Sequence, residues 1–189
     1  MKPYDFVHLT IHAIGGQIGG RTKLQKTGYF LGVFTGELEQ LGYRAHFYGP
    51  YSDLVANAVS RLKSLAFVTE STIGTGSIGA DGFEISRHDF SLTEEGRAIA
   101  SEKAHSNPGE WTKILEAVTR FKTAGDIDYM RMSVAAKTYF MLRESGKPAT
   151  SVELSESAKA LGWQAKPAEI RDSISYLAKL GLVTTTPTL

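Results

Sequence analysis

Three sets of polar side chains stand at spacings that suit recognition of a phosphate backbone or of base edges. Arg21, Lys23 and Lys26 cluster at the start of a helix that follows Gly19-Gly20. Cations beside the free N–H groups of a first helical turn suit contact with a phosphate or an acidic partner. Asn57, Ser60 and Arg61, with Ser64, fall on the side of a helix opposite its apolar residues. Asn and Arg can match the adenine and guanine edges in the major groove. Arg171, Ser175 and Lys179 follow one another at intervals of four and so share one helix face. Tyr48 and Tyr51 flank Gly49-Pro50, either as core aromatics with bonded hydroxyls or as anchors for a partner. For the charged sets the competing reading is an ordinary solvated face.

Other chemistry finds less footing. Gly15–Thr22 nearly spells the phosphate-binding pattern G-x-x-x-x-G-K-[ST], with Arg21 in place of the lysine. That loop needs a buried strand before it, whereas an amphipathic helix precedes this one. Gly74-Thr75-Gly76-Ser77-Ile78-Gly79 matches G-x-G-x-x-G after a strand, but it leads into another strand and not into a helix that could hold a pyrophosphate. His8 and His12 lie four apart, as metal ligands can, without a third ligand in sight. The chain has no cysteine, which removes disulfides, thiolate zinc sites and thiol nucleophiles together. No G-x-S-x-G pattern or carboxylate pair in a motif context is present. A non-catalytic protein without cofactor or metal is expected.

The elements that must position these residues read as follows. Pro3 opens a first helix with Phe6, Val7, Leu9, Ala13 and Ile14 on its apolar stripe, and Gly15-Gly16 ends it. A second helix starts near Thr22 as N-cap. Its Gly28 and Gly32 suggest close packing against a neighbouring helix, since each costs about 1 kcal/mol in propensity. Tyr43–Tyr48 reads as a short strand, broken by Gly49-Pro50. Ser52 or Asp53 caps a helix over 52–65 with Leu54, Val55, Ala58, Val59, Leu62 and Leu65 inward. Strands over Phe67–Ile73 and Phe83–Ser91 enclose a loop at 74–82 and form a wing, and Thr93 caps the next helix. This order is that of a winged helix, whose recognition helix precedes the wing.

Lys103–Gly109 is the boundary expected between units at 1–104 and 105–189. Beyond it come helices over Trp111–Phe121, Met132–Arg143, one capped by Ser151, and one from Pro167 to Gly181. Leu182–Thr186 allows the stub of a second wing. The expected fold is mainly α with a small β-hairpin, in two winged-helix or helix-turn-helix-like units.

The run Gly20-Arg21-Thr22-Lys23-Leu24-Gln25-Lys26 with Tyr29-Phe30, followed by Phe47-Tyr48-Gly49-Pro50-Tyr51-Ser52, resembles the YwgA-like prokaryotic proteins. Ser133–Lys137, Gly162-Trp163 and Leu180–Val183 fit the same pattern, so the resemblance covers most of the chain. Residues 1–65 are more remotely similar to the Panacea (SocA-like) antitoxin domain. That likeness implies a non-catalytic protein that binds a toxin.

Composition bounds the partners. The formal charge is +1, with 21 basic and 20 acidic residues, so an argument for nucleic acid must rest on local charge. Residues 1–66 carry seven Lys and Arg against four Asp and Glu, a surplus of three positive charges. A hydrophobic content of 42% supports a packed core. Residues 1–20 lack the signal-peptide order and no apolar stretch approaches the roughly 20 residues of a membrane span. A cytoplasmic, membrane-free protein is expected, with double-stranded DNA or a protein such as a toxin as its partner and a homodimer if the DNA site is palindromic.

Overall fold

The computed structural model describes residues 1–78 and 84–185. Among these, Pro3 stands at the first position of α1 (Pro3–Ala13). Phe6, Val7, Leu9 and Ile11 of α1 are buried. The glycine-rich segment after it is more than a turn between helices. Gln17–Gly19 form a short strand, β1, before α2 (Arg21–Thr35). Gly20 at φ +89° makes the junction as N-cap. Thr22, the cap expected from sequence, lies inside the helix. α3 (Asp53–Ser64) follows a long loop, then β2 (Val68–Ile78), β3 (Glu84–Leu92) and α4 (Glu94–Ser106). β1 and β2 both pair antiparallel with β3, giving the order β1-β3-β2. The register sets Ile18 and Glu70 opposite Phe90, and Val68 opposite Leu92.

The sequence α1, β1, α2, α3, β2, β3, with the first strand closing the sheet beside the last, is the winged-helix arrangement. The molecule is mainly helical with a small antiparallel sheet, as the residue pattern indicated. β2 runs on to Ile78, so residues 74–78 of the expected wing-tip loop are strand. The remainder of that loop, 79–82, and the Phe83 start of the second strand lie outside the described residues, as does Thr186.

Asn107 ends α4 and also caps α5 (Pro108–Thr123). The two helices are therefore joined by one residue in the region expected to be a linker. Ile114, Ala117 and Val118 of α5 enter the same core as α1, α3 and the sheet. The three-helix unit begins after α5, with α6 (Tyr129–Ser145), α7 (Ser151–Ala160) and α8 (Pro167–Lys179). Thr150, one residue before the expected Ser151, caps α7 in a capping box with Glu153. Leu182–Thr185 form no strand, so no second wing begins within the described residues. A second core joins Tyr29 and Phe30 of α2 to Met132, Ala135 and Ala136 of α6 and to Tyr176, Leu177 and Leu180. α2 is thus common to both units, and its apolar residues on two sides explain why it tolerates two glycines. Gly28 and Gly32 do make a close approach, but to a loop: a Cβ would stand 2.7 Å from the Tyr43 hydroxyl at Gly28 and 2.8 Å from a Leu41 methyl at Gly32.

Candidate nucleic-acid interface

α3 is built locally. Ser52 is fully buried, and its hydroxyl accepts from the Val55 N–H at 3.0 Å and donates to the Leu41 carbonyl. Asp53 in the first turn and Arg61 and Lys63 in the last suit the helix dipole. Val55, Ala58, Val59 and Leu62 face the core. Leu54 and Leu65, expected inward, are about half exposed. Asn57, Ser60, Arg61 and Ser64 are all exposed, as the helical period required. The hydroxyls of Ser60 and Ser64 bond back to the helix carbonyls four residues earlier. The Arg61 guanidinium lies 5.0 Å over the Tyr4 ring, and among the described residues no carboxylate pairs with it.

Arg21, Lys23 and Lys26 do not form one patch. At 3.6 residues per turn, Lys23 and Lys26 stand roughly 200° and 140° around α2 from Arg21. Arg21 Nη2 meets Glu70 at 2.7 Å, and Lys23 Nζ lies 3.6 Å from Asp126 on another side. Lys26 is 1% exposed and donates to the Pro50 carbonyl at 2.7 Å. Burial, and then the neighbouring Lys137, push its pKa down to about 7.

The segment expected as a strand at Tyr43–Tyr48 is a braced loop with one isolated bridge, Arg44 to Tyr51. The His46 and Tyr48 carbonyls, and that of Pro50 just beyond, are taken by side chains of other elements. Trp163 Nε1 donates to the His46 carbonyl at 2.6 Å, Ser133 Oγ to Tyr48 at 2.7 Å, and Lys26 to Pro50. Gln25 makes a two-way bond with the Ser52 backbone at 2.9 and 3.0 Å, and Tyr43 Oη donates to the Gln25 carbonyl. The two sequence motifs are therefore two sides of one joint between α2, this loop and α6. Tyr51 is half-buried beside His46, 4.9 Å between ring centroids. Tyr48 is 71% exposed and its neighbour Phe47 80%.

Glu70 is the functional candidate that sequence reasoning missed. It shares the helix-facing side of β2 with Val68, and its side chain is only 11% exposed. Its Oε1 accepts from Arg21 and lies 3.0 Å from His88 Nδ1, while Oε2 accepts from Lys63 Nζ. Hydrogen bonds from Lys63, then Arg21, hold its pKa down to about 2. The cluster edges a cleft of about 270 Å³ between α2, α3 and the sheet, lined also by Gln25, Tyr51 and Ser60. Strand alternation from Val68 was the one available signal. Nothing local announces that Arg21, 49 residues earlier, arrives at the same point.

On α8, Arg171, Ser175 and Lys179 are exposed on one face, and Ser175 Oγ bonds to the Arg171 carbonyl at 3.2 Å. Asp172 and Glu169 are exposed on the same helix. His8 is fully buried, its Nε2 2.8 Å from the Gly96 carbonyl, and burial lowers its pKa to about 4. It therefore acts as a neutral core donor. Among the described residues no group of three His, Asp or Glu is placed to hold a metal ion, and no helix is long and apolar enough to cross a membrane. In comparison with known proteins, no family model matches the chain and no curated protein does.

Proposed function

We propose that the chain is a non-catalytic, cytoplasmic winged-helix DNA-binding protein that regulates transcription, with α3 as its reading helix. One observation carries this reading. In a winged-helix arrangement, the helix before the wing turns an uncovered polar face outward, and on that face Asn57, Ser60 and Arg61 meet no carboxylate among the described residues. Asn57 and Arg61 are one turn apart, the spacing at which two side chains of one helix reach neighbouring base pairs. Arg171, Ser175 and Lys179 on α8 offer a second contact of the same type. A homodimer is expected where the DNA site is palindromic.

Fluorescence anisotropy with a randomised duplex pool tests it. Binding is expected at micromolar protein in low salt, with log affinity falling linearly against log salt. Arg61→Ala is expected to weaken a selected site by roughly tenfold, within the range for loss of one base or phosphate contact. Absence of any shift at low salt overturns the reading.

A second reading, an antitoxin-like protein-interaction module, is favoured by Phe47 and Tyr48. Two aromatics held outward on a braced loop have the form of a partner anchor. The likeness of residues 1–65 to the Panacea domain points the same way. The double change Phe47→Ser and Tyr48→Ser discriminates: loss of a complex with the product of an adjacent gene, with DNA binding unchanged, supports this second reading.

A further inference from the structure

We propose that Glu70 is an internal stand-in for a phosphate, occupying and blocking an anion site built by Arg21, Lys63 and His88. The three donors come from three elements that the winged helix brings together, the start of α2, the end of α3 and β3, and they converge on one carboxylate. An ordinary surface pair sets one cation against one acid, as Arg44 with Asp53 and Arg87 with Asp89 do here. At Glu70 two permanent cations and an imidazole meet one negative charge, so the locus keeps a net positive charge after pairing. A phosphate, with more acceptor oxygens and up to two charges, satisfies such a donor set more fully than a carboxylate does. The cleft of about 270 Å³ alongside gives Glu70 space to swing aside and a ligand space to enter.

The ligand chemistry is a phosphate group. Its identification as the DNA backbone rests on the reading of α3 given above, because Ser60 of the polar face lies one turn from Lys63 and lines the same cleft. Glu70 then weakens non-specific backbone contact and leaves discrimination to the base-reading face.

The test is Glu70→Gln, with Glu102→Gln on exposed α4 surface as the control for net charge. Melting is followed in inorganic phosphate against chloride at matched ionic strength, and duplex affinity by anisotropy at low salt. Glu70→Gln is expected to gain a phosphate-dependent rise in melting temperature that wild type and control lack. It is expected to bind duplex about tenfold more tightly, with a log–log salt slope steeper by about one contact. Adding Lys63→Ala is expected to abolish both gains. A phosphate response in a protein that binds no duplex supports the anion site and overturns the DNA reading. Equal duplex binding by Glu70→Gln and control, without a phosphate response, overturns the inference and leaves the DNA reading standing. Should Glu70→Gln fail to fold, Glu70→Asp, which withdraws the carboxylate by one methylene, carries the same test: a gain in both measurements supports the proposal and no gain overturns it.

Discussion

Gly96→Ala is expected to destabilise the protein by ~3 kcal/mol or more, since overpacking of a rigid contact is at the costly end of core substitutions. Gly96 sits in the first turn of α4, where a Cβ would lie 2.8 Å from the Phe67 carbonyl carbon and closer still to its oxygen. That carbonyl cannot retreat easily. It already accepts from the Thr93 N–H at 3.1 Å, and the residue before it, Ala66, is held at φ +57° by the turn that links α3 to β2. The Thr93 hydroxyl, which caps α4 on the Gly96 N–H, also donates to the Ala66 carbonyl. Moving α4 away would in addition pull the Gly96 carbonyl from His8, leaving a buried imidazole without its acceptor. A loss of this size corresponds to about 10 °C in melting temperature for a chain of this length. Gly109→Ala is the internal comparison. It is also in a helical first turn, but a Cβ there meets nothing within 4 Å among the described residues, so a gain of up to about 1 kcal/mol is expected from the lower entropy of the unfolded chain. Equal melting temperatures for Gly96→Ala and wild type would refute the close-contact account.

The second large effect is a stability that keeps rising on the alkaline side. Lys26 has a pKa near 7 in the folded protein against an ordinary value of 10.5. Between those two values the unfolded chain binds one more proton than the folded one, so folding stability climbs with pH, by up to ~1.4 kcal/mol per unit. Below about pH 7 both states carry the charge and this dependence ends, with the folded protein bearing the full cost of a buried ammonium. The geometry supports the shift. Among the described residues Lys26 has only the Pro50 carbonyl as partner, and the adjacent Lys137, itself 9% exposed, adds a second positive charge. The pKa of Lys137 is also lowered, by burial, against the pull of Glu169. His8, whose folded pKa is near 4 against 6.5, gives a separate rise of the same sign between those values. Unfolding free energies from urea titrations at pH 6, 7 and 9 are expected to increase in that order, by roughly 2 to 3 kcal/mol from pH 7 to 9. Lys26→Met is expected to flatten most of the rise above pH 7 and leave the acid-side rise intact. A wild-type profile that falls from pH 7 to 9 would contradict a deprotonating Lys26.

Much of the architecture could be read from short-range patterns. Pro3, Ser52, Thr93 and Pro167 stand where helices begin, because a cap or a fixed φ acts on the adjacent turn alone. The period of 3.6 placed Val55, Ala58, Val59 and Leu62 inward and Asn57, Ser60, Arg61 and Ser64 outward without knowledge of what covers the helix. The two wing strands and the helix that follows them were legible for the same reason.

What tertiary structure alone decided is which of these surfaces meet. Tyr43–Tyr48 has the composition of a strand, yet Trp163 and Ser133, 117 and 85 residues from their partners, take its His46 and Tyr48 carbonyls, and Lys26 holds Pro50 just beyond it. Lys26 reads as one of three surface cations until the loop closes over it. Glu70 reads as a wing residue until Arg21, Lys63 and His88 surround it. α5 reads as the start of a second unit, yet Ile114 and Val118 complete the first core. The physical reason is range. Propensity, capping and periodicity act over one or two turns of chain, whereas burial, ion pairing and side-chain bonds to a distant backbone depend on where remote segments arrive, and no local pattern encodes that.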